Sequence, residues 1–292
     1  MGLWFVLIAG SLWGAMGIFV RGLASCGLSS LEICFVRVSV SALLMTVYFL
    51  LFDRKALKIR LKDVWCFIGT GVISLTSFGY CYFTTIQMTS MSVAAVLLYT
   101  SPIFVLVLSA ALFNEKITRE KVYSIIMAIL GCAFVSGMIG GGTTSVSLKG
   151  LLYGLGSGLG YGLYSIFGRY AIKRKYKALT ITYYSFLFSS LALLFIIKPV
   201  SVVNKIYSSM NDRNTLTVLL YVIGMAIVVT IAPYIFYTLG LTKIENSKAA
   251  VVACIEPIMA TVLGYVLFHE VLSVGEIAGV ILVIMAIIRL FY

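Results

Sequence analysis

Charge is scarce in this sequence of 292 residues: 11% of it is Asp, Glu, Lys or Arg, against 61% hydrophobic. Soluble domains carry roughly 25% charge, so a water-soluble globule is excluded. Histidine is nearly absent, with His269 alone, and none of the six cysteines forms a C-x-x-C pair. That excludes a Cys/His zinc site and a disulfide framework. Cys26, Cys34, Cys66, Cys81, Cys132 and Cys254 fall mostly in apolar runs and read as small apolar side chains. No glycine-rich phosphate loop followed by lysine occurs. Nucleotide-driven chemistry therefore has no motif here, and neither cofactor nor metal is expected.

What is present is apolar length. A mean hydropathy of +1.08 extends along the whole chain, and a membrane-spanning helix needs about 20 mostly apolar residues. Ten such spans are predicted, near 3–21, 31–52, 64–84, 91–113, 121–139, 149–171, 179–197, 215–238, 247–268 and 273–291. The first reads as a retained span. It lacks a basic leader and is longer than the usual signal-peptide core of about 7–15 residues. The longest connection runs over 198–214. The formal net charge of +12 does not point to nucleic acid, because the basic residues sit in short loops between spans. Fifteen of them fall on one predicted face, including Arg54, Lys55, Lys58, Arg60 and Lys62, and five on the other, including Lys205 and Arg213. By the positive-inside rule both termini are expected in the cytoplasm and the chain in the cytoplasmic membrane.

The chain also repeats itself. SVAAVLLYTSPIFVLVLSAALFNE, Ser92 to Glu115, aligns without gaps on SKAAVVACIEPIMATVLGYVLFHE, Ser247 to Glu270. Eleven of the 24 positions are identical at an offset of 155, including Pro102 with Pro257 and Glu115 with Glu270. Trp13-Gly14, Ile18-Phe19 and Arg21 match Tyr161-Gly162, Ile166-Phe167 and Arg169 at an offset of 148. The extra seven residues fit the longer connection near 198–214. The expected organisation is a first five-helix repeat at 1–139, a glycine-rich linker at 140–148 and a second repeat at 149–292. Five is odd, so the second copy enters the membrane from the other side. That all-α, inverted-repeat architecture underlies many alternating-access transporters.

Ten spans in two halves, A-A-V…P…E ending the fourth span, A-A-V…E-P…H-E ending the ninth and W-G-x-x-x-x-F in the first resemble the drug/metabolite transporter superfamily, in its EamA-type branch. The resemblance covers essentially the whole chain. It implies a secondary transporter, often an exporter of amino acids or related metabolites, and names no particular solute.

The duplication separates scaffold from candidate site. Pro102 and Pro257 occur in both halves and read as hinge or packing positions, each removing one helical hydrogen bond. Glu256 has only Ser101 opposite it. A charge at mid-span costs about 2.5–3.5 kcal/mol on insertion scales. It serves either as an interhelical hydrogen-bonding acid or as a substrate-amine or proton site. Arg37, opposite Ser185, is open to snorkelling, to pairing with Glu32 or to pairing with Glu256. Trp13, its repeat mate Tyr161, and Tyr99 are the aromatic cavity candidates, with Tyr80 and Tyr237 weaker. Arg21, Arg169, Glu115, Glu270 and His269 read as helix-end chemistry, and Ser273 with Glu276 as a capping box. Gly150, Gly154, Gly158 and Gly162 form a small-residue stripe for close helix packing.

The expected activity is export of a small polar metabolite such as an amino acid, with Glu256 and Arg37 in a central cavity and proton coupling open. Cationic drugs or nucleotide-linked metabolites such as S-adenosylmethionine are the alternative substrates. A lipid-modifying membrane enzyme is the alternative of another class, disfavoured by the single histidine. The expected partners are a small molecule and the bilayer, with monomer and homodimer both compatible.

Overall fold

A computed structural model describes residues 1–138, 147–212, 214–269 and 272–291. Arg213, Glu270 and linker positions 140–146 lie outside the described residues. In a hydrocarbon solvent every backbone polar group needs an internal partner, which leaves the helix as the way across for runs of this kind. The described residues accordingly form helices joined by short connections.

Span 1 comprises Gly2–Gly14 and Met16–Ala24, span 2 Ser30–Phe52, and span 3 Val64–Ile68, the π-helical Gly69–Thr76 and Ser77–Met88. Span 4 is Met91–Leu98 with Ser101–Phe113, span 5 Arg119–Val135, span 6 Leu148–Lys173 and span 7 Ala178–Leu193. Span 8 runs through Thr215–Ala226, the π-helical Ile227–Ile231 and Ala232–Leu241. Span 9 is Asn246–Ala253 with Ile255–Phe268, and span 10 is Val274–Phe291. Seven of these are long and apolar enough to cross a membrane by length and composition, and Ala178–Leu193 is a shorter apolar helix. Span 5 and the glycine-diluted span 6 complete the ten-helix membrane fold.

The structural irregularities recur at the offset of the sequence repeat. Span 4 breaks at Tyr99–Thr100 and span 9 at Cys254, each shortly before its proline. Proline lacks the N–H that would bond four residues back, so the chain ends one helix and starts another there. Both second pieces stop at a left-handed residue, Asn114 with φ 57° and His269 with φ 55°. Their N–H groups bond Ser109 O and Gly264 O respectively. The π-helical turns of spans 3 and 8 also fall at matching positions. In each, a threonine hydroxyl donates to a carbonyl five residues back: Thr76 to Gly71 (3.2 Å) and Thr230 to Met225 (2.7 Å).

Close crossings lock the two halves together. A Cβ at Gly14 of span 1 would stand 2.8 Å from Glu256 O and 2.9 Å from Ala260 N of span 9. In the other half, a Cβ at Gly158 of span 6 would stand 2.7 Å from Leu97 O of span 4. The predicted glycine stripe is thus the contact line of span 6, where only hydrogen lets the backbones approach.

One expectation is corrected. The connection 198–214 carries a helix, Pro199–Asp212. Pro199 opens it, where a missing N–H costs nothing. Val202 is buried, with Ile206 and Met210 packed on the same cluster as Leu23, Leu28 and Val36. Their spacing of four makes one apolar stripe facing the bundle.

Candidate functional site

Glu256 stands in the first turn of Ile255–Phe268, two residues after the break at Cys254. Ten residues separate it from Asn246, about 15 Å of helix, which is mid-depth in a hydrocarbon core of roughly 30 Å. Breaking the span there frees carbonyls of the preceding turn and directs a helix N-terminus, with its partial positive charge, to the same depth. The Glu256 side chain is half-buried, and Tyr161 Oη donates to its Oε2 at 3.2 Å.

Tyr161 belongs to a tight aromatic cluster. Trp13 packs edge-on to Tyr161 (6.0 Å between centroids) and to Tyr234 (5.1 Å), and tilted on Tyr237 (5.4 Å). Phe78 meets Tyr161 from the far side at 5.5 Å. The structure therefore brings Trp13, Tyr161 and Glu256 together from spans 1, 6 and 9. Tyr99 is buried at the matching break of span 4 and lines neither of the two small cavities that flank Leu75.

Arg37 is buried on span 2, and its surroundings correct two of the options drawn from sequence. It does not snorkel, being only 6% exposed. Nor does it pair with Glu32, whose carboxylate is taken by the Ser29 N–H in a capping box and by Lys205 Nζ at 2.8 Å to each oxygen. Lys205 comes from the helix that the sequence reading treated as loop. Arg37 NH1 instead points at Met16 Sδ (3.4 Å), its guanidinium lies 6.0 Å from the Tyr234 ring, and its Nε has no partner. Among the described residues no ion pair joins it to Glu256.

Two small cavities meet here. One of about 10 Å³ is bounded by Trp13, Ser74, Phe78, Tyr161 and Tyr234. Another of about 10 Å³ is bounded by Cys34, Arg37, Thr76, Gly79 and Ser189. Leu75, on the π-helical turn of span 3, lines both and forms their common wall. Each has room for about one water molecule, far below the roughly 300 Å³ at which ligand pockets begin.

Between this layer and the lysine- and arginine-rich face lie two hydrogen-bonded tiers. The first joins Ser165 to Tyr237 (2.8 Å) and Tyr164 to Thr238 (2.9 Å). In the second, the Glu115 carboxylate accepts from Asn246 N, Ser247 N and Ser247 Oγ, capping the start of span 9. Arg169 donates to Asn246 Oδ1 (2.7 Å) and Ile244 O (2.5 Å), while Asn246 Nδ2 reaches Ser109 Oγ (3.1 Å). Helix-end chemistry at Glu115 and Arg169 thus acts between spans 4, 6 and 9. Pro102 and Pro257 are both buried at their breaks, and neither borders the two small cavities. Sequence reasoning missed Tyr234 and Leu75. The A-P-Y of span 8 was the available signal for the first, and a lone leucine in an apolar run offers none for the second.

Comparison with known proteins agrees with this architecture. A family model described as the EamA-like transporter family matches residues 1–137 and 148–292. An uncharacterized transporter of Archaeoglobus fulgidus is 26% identical over 279 residues, covering 94% of this chain and 90% of that protein. The uncharacterized transporter YwfM of Bacillus subtilis is 22% identical over 288 residues, covering 97% of this chain and 91% of its own. A solved crystal structure superposes with a TM-score of 0.77 over 99% of this chain and 96% of its own, at 13% identity, a likeness of fold. Ten membrane helices and a family match reaching from end to end lead to one assignment: the chain belongs to the EamA-like transporter family and is a multi-pass membrane transporter.

Proposed function

We propose that the protein is a secondary active exporter of small amine-bearing metabolites, amino acids foremost, working by alternating access across the cytoplasmic membrane with both termini inside. The observation that carries this reading is the Glu256–Tyr161 pair at the break of span 9, set against the Trp13 and Tyr234 rings. A carboxylate beside aromatic faces attracts an ammonium group by charge and by cation–π interaction. Arg37, with an unpartnered Nε one cavity away, suits the carboxylate end of a zwitterion. Glu256 itself borders neither cavity, so opening a solute chamber requires movement of Leu75 to join the two and of Tyr161, on the wall of the first, to bring the carboxylate into reach of Arg37's cavity. Exchange of access follows from rocking one half against the other about the glycine crossings. The 1–139 and 149–292 halves are the proposed moving units.

The aromatic ring cluster also favours a second reading, in which the solute is a permanent cation and Arg37 has no role in binding. Reconstituted vesicles distinguish them. Radiolabelled amino acids and organic cations are tested for flux, with and without a pH gradient, in wild type and Arg37→Gln. Amino-acid flux that falls at least tenfold in the variant supports the zwitterion. Flux of cations alone, unchanged by the substitution, supports the second reading. No flux of either class sinks the proposal.

A further inference from the structure

On the basic face, away from the central site, a basin of about 280 Å³ opens between the 54–60 connection of the first half and the turn joining spans 6 and 7. Its rim is made by Lys55, Lys58, Arg60, Arg174, Lys175 and Lys177. Two carboxylates stand near it, and both are already engaged. Buried Asp63 accepts from Arg60 Nε (2.8 Å), Arg174 Nε (2.9 Å) and Tyr176 Oη (2.8 Å). Asp53 pairs with Lys177 at 3.2 Å. Six cations against two carboxylates leave an excess of four. Among the described residues Lys55, Lys58 and Lys175 have no side-chain partner.

The walls of the basin are fixed. Arg174 lies 4.9 Å over the Trp65 ring and donates to Tyr170 O, and Tyr176 Oη accepts from Arg60 N at 3.0 Å. Thr180 and Tyr184 bond the carbonyls of Ala56 and Leu57, tying the two halves at the floor. Lys175 holds a left-handed backbone, φ 66°, in the turn that closes span 6. Glycine is the ordinary residue there, and the lysine instead sets an ammonium on the rim. Trp65, Tyr170, Tyr176 and Tyr184 gather at this level, as aromatic residues do at a membrane–water boundary. Exposed Leu51, Phe52 and Ile68 on nearby turns offer surface to acyl chains.

We infer that this basin is a binding site for the phosphate headgroup of an anionic phospholipid, which bridges the two halves of the transporter. A phosphodiester supplies the missing negative charge, the unpaired ammonium groups supply donors, and the adjacent apolar surface takes the chains. Basic pockets between spans at the headgroup level bind lipid on the same physical grounds.

The test uses the whole protein in neutral detergent. The rise of its thermal-unfolding midpoint is followed against dioctanoyl phosphatidylglycerol, dioctanoyl phosphatidylcholine and inorganic phosphate. Each shift is taken from the same variant's ligand-free midpoint, so a change in intrinsic stability cancels. The anionic lipid is expected to raise the midpoint where phosphatidylcholine and phosphate do not. K55Q/K58Q/K175Q is expected to weaken the apparent affinity on the order of 100-fold, at about fivefold per lysine. K116Q/R119Q, on the same face outside the basin, is expected to leave it unchanged. An equal shift with inorganic phosphate overturns the lipid assignment. No shift with the anionic lipid, or equal losses in the two variants, overturns the site.

Discussion

Replacing Gly14 by alanine tests the crossing that holds the site together. The added methyl would sit 2.5 Å from Met259 Cβ, 2.8 Å from Glu256 O and 2.9 Å from Ala260 N. Two of those atoms are backbone and cannot swing aside, so spans 1 and 9 must move apart by roughly half an ångström or more to restore contact distance. Overpacking of this kind costs about 1–3 kcal/mol, while alanine in place of glycine returns at most about 1 kcal/mol of helix propensity. The net expectation is a loss of about 1–2 kcal/mol. At about 2–4 °C per kcal/mol for a chain of this order of size, the thermal midpoint falls by roughly 2–8 °C. Gly17 supplies the control, because a Cβ there meets no heavy atom within 4 Å. Gly17→Ala is expected to be neutral or slightly stabilising. Both are read by intrinsic-fluorescence melting of the detergent-solubilised protein. A Gly14→Ala midpoint equal to or above that of Gly17→Ala would refute the close-packed crossing.

Other outcomes follow from the same contacts. Glu115→Gln removes the charge that caps the start of span 9, at about 1.5–3 kcal/mol for hydrogen bonds to a charged group. Amide hydrogen exchange at Asn246 and Ser247 is expected to quicken by tenfold or more, and unchanged protection would contradict the capping role of Glu115. Lys205→Gln cuts a partly exposed ion pair worth about 1 kcal/mol or less. Exchange across the 199–212 helix is expected to rise up to about fivefold, while the Glu32 capping box stays intact. No change there would mean that apolar packing alone docks the helix. Tyr161→Phe removes the hydrogen bond that Tyr161 donates to the Glu256 carboxylate but keeps the ring stack. Apparent substrate affinity is expected to change more than maximal flux, and a purely maximal-rate effect would argue against a site at that pair.

The repeat was readable because proline, glycine and terminal glutamate mark backbone events that composition cannot blur. Pro102 and Pro257 announce the breaks of spans 4 and 9, and Gly158 and Gly162 announce the span 4–span 6 contact. Glu256 was legible because the duplication isolates what differs between halves, and Trp13 and Tyr161 because they are repeat mates deep in their spans. Arg37 was harder. Its environment depends on Lys205, which removes Glu32 from contention through a contact 173 positions away. The π-helical turns left no signature in Val228 or Ile231; what the two turns share is a threonine hydroxyl donating five residues back, and Pro233 follows the turn of span 8 alone. Leu75 as a shared wall is a property of three-dimensional placement alone.

The central claim is that Glu256, an acidic group opposite only Ser101 in the repeat, handles the transported solute. Its most direct test compares Glu256→Gln with Glu120→Gln, an exposed carboxylate at the start of span 5, in vesicle flux of a solute that the wild type carries. Both variants are first matched for thermal midpoint and reconstitution yield. The account predicts at least a tenfold loss of flux in Glu256→Gln and wild-type flux in Glu120→Gln. Wild-type flux in Glu256→Gln would contradict it.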